Sequence, residues 1–288
     1  TLAASIWTAA VMADIQLQMA IKSKSVEEEK LYLSVVEKYN NLLKAEENLA
    51  YSRQSIQQAQ AQKRINELSL ALGVMSNMQY KIEYHSFEAS SLGVDTAQTT
   101  LAKAYTEFNN LVGLSISERP ILTDRVSFEP LPVGDLESVI HRTLDADPTI
   151  WMQEQTVSIE ALQLDLYSYD NPARDPYEAE KIDVDKANLS AQETRSQMKQ
   201  MMRSLYSSMR QLEDTYKMKQ QLAIIADQNL EMKKVMYEVG MVSKIDMTQA
   251  ELDAAKAHLD LNEIAYQYAS LKLAFEKPWA YVANLNSR

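Results

Sequence analysis

The chain has 288 residues, no cysteine, and a formal net charge of −11 from 29 basic and 40 acidic residues. The excess of acid argues against nucleic acid as a partner, because contacts to phosphates need basic surface, and the absence of cysteine excludes disulfides and thiolate metal sites. Only 5 Gly and 7 Pro interrupt a sequence dominated by Ala, Leu, Gln, Glu, Lys and Met, which predicts an all-α chain with long helices.

The first part of the chain predicts two long helices and a linker. The helices are predicted at 2–79, with weak breaks at Ser23 and Ser25, and at about Phe87 to Val112, closed by Gly113. The turn between them is predicted at Tyr84 to Ser86. The following stretch, 115–134, is rich in proline and is predicted to be extended.

The second part of the chain predicts a similar pair of long helices after two shorter elements. Helices are predicted at 135–145, from Pro148 to about Tyr169, at 177–237 and at 243–275. Asp147 before Pro148 is predicted as an N-cap followed by an N1 proline, and the DNPARDP stretch at 170–176 is predicted to break the chain of helices. The 61 residues of 177–237 would extend roughly 90 Å at 1.5 Å per residue.

The two parts form a tandem repeat. Tyr80 precedes Tyr237 by 157 residues and Glu88 precedes Asp246 by 158, whereas residues nearer the start match at an offset of 144. Such a repeat indicates one architectural unit used twice. We therefore predict a first helical-hairpin repeat at 1–114, a linker at 115–134, a second helical-hairpin repeat at 135–277 and a C-terminal tail at 278–288.

Apolar residues along the long helices predict coiled-coil packing. One seam has spacings of three and four residues in the second repeat, and another has a spacing of seven in the first: Met198, Met202, Leu205, Met209, Leu212 and Tyr216, and Val35, Leu42, Leu49 and Ile56. The methionines lie on the seam without nearby His or Cys, so they are interpreted as core residues and not as a metal site. No metal or other cofactor is predicted.

The turn after Tyr237 has the pattern of a tight αα-hairpin. Gly240 can adopt the left-handed conformation that ends a helix, and Ser243 with Asp246 can form a capping box. These residues could serve the turn alone. Met241 and Val242, however, are apolar residues predicted to lie exposed at the tip, and such residues indicate a partner surface.

The second hairpin resembles the C-terminal hairpin of the TolC-type outer-membrane efflux proteins. The matching residues are Tyr237, Gly240, Ser243, Asp246, Ala250, Leu252, Ala255, Ala257, Leu259, Ala265 and Tyr266, and the tandem layout and the proline-bearing linker also match. The resemblance implies a homotrimeric coiled-coil α-barrel in the bacterial cell envelope. It further implies an exit duct of a tripartite efflux or type I secretion system, fed by an inner-membrane pump and a periplasmic adaptor protein that docks on the hairpin tips.

The same resemblance assigns site residues. The tips that would contact the adaptor are Gly240, Met241, Val242 and Ser243 in the second hairpin, and Glu83, Tyr84, His85 and Ser86 in the first. The pore mouth would be formed by Asp246, Glu88 and Tyr237. The sequence departs from the family pattern at Glu83, which stands where the motif has Gly, and at Met241 and Val242, where some members carry a basic residue.

A larger departure concerns the membrane part. Members of the family have two long strands between the first and second helices of each repeat, and neither Ser23 to Ser25 nor Tyr169 to Pro176 offers room for two strands of roughly 9 to 11 residues. An all-α tube without the membrane β-barrel is therefore predicted. Because the chain also begins at Thr1 without Met, it is interpreted as a processed or trimmed piece.

A coiled-coil scaffold and an enzyme are the alternatives to an export duct. A non-conducting coiled-coil scaffold of the cell envelope would explain the seams but not the repeated turn pattern. An enzyme is disfavoured, because His85, His141 and His258 lie far apart in sequence without metal-ligand spacing, and no glycine-rich phosphate loop is present.

Overall fold

The computed structural model describes residues 2–167 and 176–285, with side chains from residue 6 onward. Within these ranges the chain forms seven α-helices and no strand, which confirms the predicted all-α class. The helices are α1 (Leu2–Ala71), α2 (Asn77–Val112), α3 (Leu136–Ala146), α4 (Pro148–Asp165), α5 (Tyr177–Glu238), α6 (Lys244–Glu276) and α7 (Pro278–Leu285). None of these described helices has the apolar stretch that a membrane span requires.

Local capping signals explain where several helices begin and end. Asp135 accepts a hydrogen bond from the Ser138 amide at the start of α3, and Asp147 accepts bonds from the Thr149 and Ile150 amides at the start of α4. Gly113 ends α2 with a φ of 78°. Burial raises the pKa of the Asp147 carboxyl, because removal from water disfavours its charged form. The predicted caps at Asp147 and Gly113 are therefore confirmed.

Some predicted boundaries were wrong. The first helix passes Ser23 and Ser25 without a break, because serine inside a long helix lowers stability too little to stop it, and it ends at Ala71 instead of about Gln79. The fourth helix ends at Asp165, before the predicted end near residue 169, and α7 lies in the predicted tail. The predicted break at 170–176 falls mostly outside the described residues.

The chain divides into two compact units, each of which combines parts of both predicted repeats. Unit 1 comprises residues 1–34, 130–209 and 271–288. Its core includes Ile140 and Leu144 from α3, together with Met198, Met202 and Met209 from α5, all of which are buried. The interpretation of these methionines as core residues agrees with their burial.

Unit 2 comprises residues 35–129 and 210–270 and contains the part of each helical hairpin that carries its turn. The core of the first hairpin is formed by Leu42, Tyr105 and Phe108. The linker packs on the second hairpin through Phe128, whose ring stacks on Tyr216 with centroids 3.7 Å apart. The linker therefore provides packing surface as well as connecting the two hairpins.

Polar contacts on two sides hold α6 in unit 2. Towards α1, Tyr266 donates a hydrogen bond of 2.7 Å to Glu47, and Lys44 pairs with Glu263 at 2.5 Å. Burial and the Glu47 carboxylate raise the pKa of the Tyr266 hydroxyl. Towards α5, Asp260 pairs with Lys219 and His258 pairs with Asp227, at 3.0 and 2.9 Å. Helix α6 is thus joined to a helix of each hairpin.

Candidate docking tips

Both hairpins of unit 2 end in a five-residue turn of the same design. The first turn, between α1 and α2, is Leu-Gly-Val-Met-Ser at 72–76, and the second, between α5 and α6, is Val-Gly-Met-Val-Ser at 239–243. The offset between them is 167 residues. Each turn carries a glycine followed three residues later by a serine. The repeat therefore extends to the tips, at an offset of 167 residues and not at 157 or 158.

The second turn ends α5 with a Schellman motif. The amide of Gly240 donates to the carbonyl of Tyr237 at 3.0 Å, and the amide of Met241 donates to the carbonyl of Met236 at 2.8 Å. Gly240 has a φ of 75°, in the left-handed region. A side chain at this position would strain the backbone, which explains why glycine stands here.

The first turn ends α1 in the same way. The amide of Gly73 donates to the carbonyl of Leu70 at 3.0 Å, and the amide of Val74 donates to the carbonyl of Ser69 at 2.9 Å. Gly73 has a φ of 71°. The two glycines therefore have the same role, although only Gly240 was identified in the sequence.

The serines begin the returning helices, and the second of them belongs to a complete capping box. The Ser243 hydroxyl accepts from the Asp246 amide at 3.2 Å, while Asp246 accepts from the Ser243 amide at 3.0 Å and from its hydroxyl at 2.7 Å. These bonds from Ser243, with a smaller contribution from Lys233, lower the pKa of the Asp246 carboxyl. In the first turn the Ser76 hydroxyl accepts a hydrogen bond from the amide of Gln79. Gln79 is the residue that corresponds to Asp246 at the 167-residue offset.

Apolar side chains at both tips are exposed. Leu72 and Val74 are 69% and 80% exposed, and their equivalents Val239 and Met241 are 65% and 70% exposed. Val242, which was predicted to be exposed, is half-buried. Val242 directly precedes the N-cap Ser243, the position from which an apolar side chain can pack on the first turns of the helix as a hydrophobic staple.

The predicted first tip was wrong. Glu83, Tyr84, His85 and Ser86 lie inside α2, beyond the turn at 72–76. An alignment of Tyr80 with Tyr237 places the expected turn too far along the chain. The glycine and serine at Gly73 and Ser76 were the available signal, since they repeat the spacing of Gly240 and Ser243.

Glu88, which the resemblance assigns to the pore mouth together with Asp246, lies further from its turn than Asp246 does. Glu88 lies 12 residues after Ser76, or roughly 18 Å along the helix axis, whereas Asp246 lies three residues after Ser243. The Glu88 carboxylate is paired with His85 at 3.0 Å. Tyr237 lies in the last turn of α5, beside the second tip, and is 39% exposed. Only Asp246 and Tyr237 of the predicted mouth residues are adjacent to a tip.

Replacing Asp246 by Gln separates two roles for this carboxylate. Gln retains an acceptor for the capping bonds, so we expect the unfolding temperature near pH 7 to fall only by the small contribution of this exposed charge. Any cation selectivity of a pore lined by Asp246 should fall clearly, because the charge is lost. Ion selectivity in lipid bilayers and thermal unfolding measure the two. A loss of stability with unchanged selectivity would identify Asp246 as a helix cap only.

The lowered pKa of Asp246 also gives the sign of a pH effect. A carboxyl with a lower pKa in the folded protein stabilises it above the ordinary value of 3.8, and this contribution is lost as the pH falls through the lowered pKa. The Gln variant should therefore lose less stability than the parent on acidification.

The histidines at 85 and 258 are each paired with a carboxylate. Among the residues that the structure describes, no cluster of three or more His, Cys, Asp or Glu side chains could hold a metal ion. His258 bonds to the Asp227 carboxylate, and His85 bonds to Glu88. These contacts tie helices or helical turns together.

Comparisons with family models and with curated proteins gave no match. Solved structures do match. The outer membrane channel CmeC of Campylobacter jejuni superposes with a TM-score of 0.71 at 14% identity, over 94% of this chain and 66% of that one. The outer membrane protein VceC of Vibrio cholerae gives 0.66 at 14% identity, over 95% and 74% of the two chains.

The MtrE outer membrane channel of Neisseria gonorrhoeae, solved in an open state, gives a TM-score of 0.64 at 13% identity, over 92% of this chain and 70% of that one. The chain thus spans about two thirds of the length of the channels it matches. The TolC-like fold expected from the sequence is confirmed. The chain has the helical fold of the bacterial outer membrane channels.

Proposed function

We propose that the chain is the helical duct of an export channel in the bacterial cell envelope, which acts in a tripartite efflux or type I secretion system. The fold shared with outer membrane channels supports the duct, and the pair of matched hairpin tips supports a docking role. The observation that carries the proposal is that two turns of one design each expose large apolar side chains at the end of a hairpin. Water disfavours such a surface, so a partner protein is expected there.

The proposed partners are a periplasmic adaptor protein at the tips and an inner-membrane pump that supplies energy. Each tip offers one exposed apolar side chain just after the glycine, Val74 or Met241, and one just before it, Leu72 or Val239. Equivalent tips would allow one kind of adaptor to bind both hairpins of a protomer.

The proposed assembly is a homotrimeric ring. Near the tips, α1 exposes Ile65 and Leu68 and its turn exposes Leu72. In the same way, α5 exposes Met232 and Val235 and its turn exposes Val239. These residues correspond at the same 167-residue offset as the turns and form a stripe with spacings of three and four. An exposed stripe of this kind on a long helix indicates a neighbouring helix from another protomer.

Export from cells tests the duct itself. In cells that lack the chromosomal copy, the full-length protein should restore efflux of a fluorescent dye or secretion of a protein substrate. If neither is restored while the protein still assembles in the envelope, the scaffold alternative would be favoured over the duct.

A charge at the second tip should weaken adaptor docking. We expect Met241→Asp to raise the dissociation constant for the adaptor by about tenfold or more, because a carboxylate would be buried at an apolar contact. Surface plasmon resonance with the purified adaptor measures the effect. Gln221→Asp, which adds the same charge at an exposed position of α5 far from the turn, is the control, and an equal loss of affinity in both variants would contradict the tip assignment.

A further inference from the structure

The two hairpins of unit 2 differ in how they are packed near their tips. In residues 50–104, all of which the structure describes, Asn66 is the one buried side chain, and it is polar. The corresponding stretch of the second hairpin, 217–271, buries eight apolar side chains: Ala223, Ala250, Leu252, Ala254, Leu259, Ala265, Tyr266 and Tyr268. Part of this burial is against α1 and the linker, which Tyr266 and Tyr268 contact. The first hairpin still has far less apolar burial to hold it closed.

A cavity of about 490 Å³ lies between α1 and α2 in this weakly packed region. Most of its lining is polar, from Gln58, Gln62 and Asn66 on α1 and from Glu83, Ser86 and Ser90 on α2. Asn66 accepts a hydrogen bond from Gln62 at 2.9 Å, within the same helix. A polar cavity of this size suits water, so separating the helices here exposes little apolar surface.

The residue types at the seam explain the cavity. Lys63 of α1 lies over the rings of Tyr84 and Phe87 of α2, with its ammonium nitrogen 5.0 and 4.5 Å from their centroids. At the same repeat offset the second hairpin has Leu230 in place of Lys63 and Ala254 in place of Phe87. A charged side chain beside two rings leaves polar space next to it, whereas leucine and alanine allow close apolar packing.

From this contrast we propose that the first hairpin is flexible near its tip, in residues 56–95. There α1 and α2 separate by local opening, while the second hairpin stays closed. Opening there breaks partly exposed contacts of Lys63 and the Tyr80 to Glu67 hydrogen bond of 3.5 Å. Opening of the second hairpin would have to expose its buried alanine and leucine side chains and break the Lys219 to Asp260 ion pair. The proposal does not depend on the duct function.

Hydrogen exchange of the assembled protein, followed by mass spectrometry, tests the proposal. Amides in 56–70 and 80–95 should exchange at least about tenfold faster than their equivalents in 223–237 and 247–262. Equal exchange in the two hairpins, or faster exchange in the second, would overturn it.

A substitution at the α1–α2 interface beside the cavity gives an independent check. Asn66→Leu places an apolar side chain beside the cavity, and we expect it to slow exchange in the first hairpin by about fivefold or more while leaving the second unchanged. Gln228→Leu, at an exposed position of α5, is the control and should alter neither hairpin. If Asn66→Leu fails to fold, Gln62→Leu fills the same cavity from a half-buried position. Unchanged exchange in a folded seam variant would contradict the proposal.

Discussion

Replacing Gly240 by valine is expected to abolish adaptor-dependent export while the helix content stays nearly unchanged. Gly240 has a φ of 75°, and a β-branched residue in this left-handed region costs on the order of 1–3 kcal/mol. The strain is relieved by remodelling the turn, which displaces Met241 and the Ser243 cap from the geometry that the adaptor would contact. Dye efflux in complemented cells and far-ultraviolet circular dichroism are the two measurements.

Gly93→Val is the matched control for this experiment. Gly93 lies within α2, is not among the residues with positive φ, and has open space where a Cβ would stand. The same substitution there should leave export intact. Normal export by the Gly240 variant would mean that the second turn is not a docking tip, whereas loss of export in both variants would point to a general fault in folding.

Placing aspartate at both Leu68 and Val235 is expected to convert the assembled protein to monomers. The two residues are 60% and 53% exposed in one protomer and occupy equivalent positions in the proposed contact stripe. Burying unpaired carboxylates against neighbouring helices costs several kcal/mol, and a trimer would contain six of them. Multi-angle light scattering should show about 98 kDa for a trimer of the parent chain and 32.7 kDa for the variant.

The control for assembly is Gln221→Asp together with Gln228→Asp, which adds the same charge at exposed polar positions of α5. This variant should remain a trimer. A parent protein that stays monomeric at high concentration would contradict the ring. A trimeric Leu68 and Val235 variant would show instead that the stripe is not the contact between protomers.

Features set by neighbouring residues were predictable from the sequence. The Asp147 and Pro148 pair fixed the start of α4, because an N-cap and an N1 proline act within one helical turn. Gly240, Ser243 and Asp246 defined the second turn for the same reason. The buried seam of Met198, Met202 and Met209 followed from helical periodicity.

Features that depend on aligning distant parts of the chain were harder to predict. The first tip was misplaced because Tyr80 and Glu88 gave a chance match to the second repeat, whereas the true correspondence is carried by the glycine and serine of each turn. The half-burial of Val242 depends on how the turn folds back on the helices, which composition does not reveal. The polar cavity beside Asn66 likewise depends on side chains from two helices.

The two-sided bracing of α6 has a mechanical consequence. Tyr266 and Glu263 join it to α1, and Asp260 and His258 join it to α5. A pulling force applied at the second tip is therefore shared between two neighbouring helices. Tension on the first tip would instead act through α2 on the weakly packed α1–α2 interface around Lys63. Under an equal load the first hairpin would therefore extend before the second.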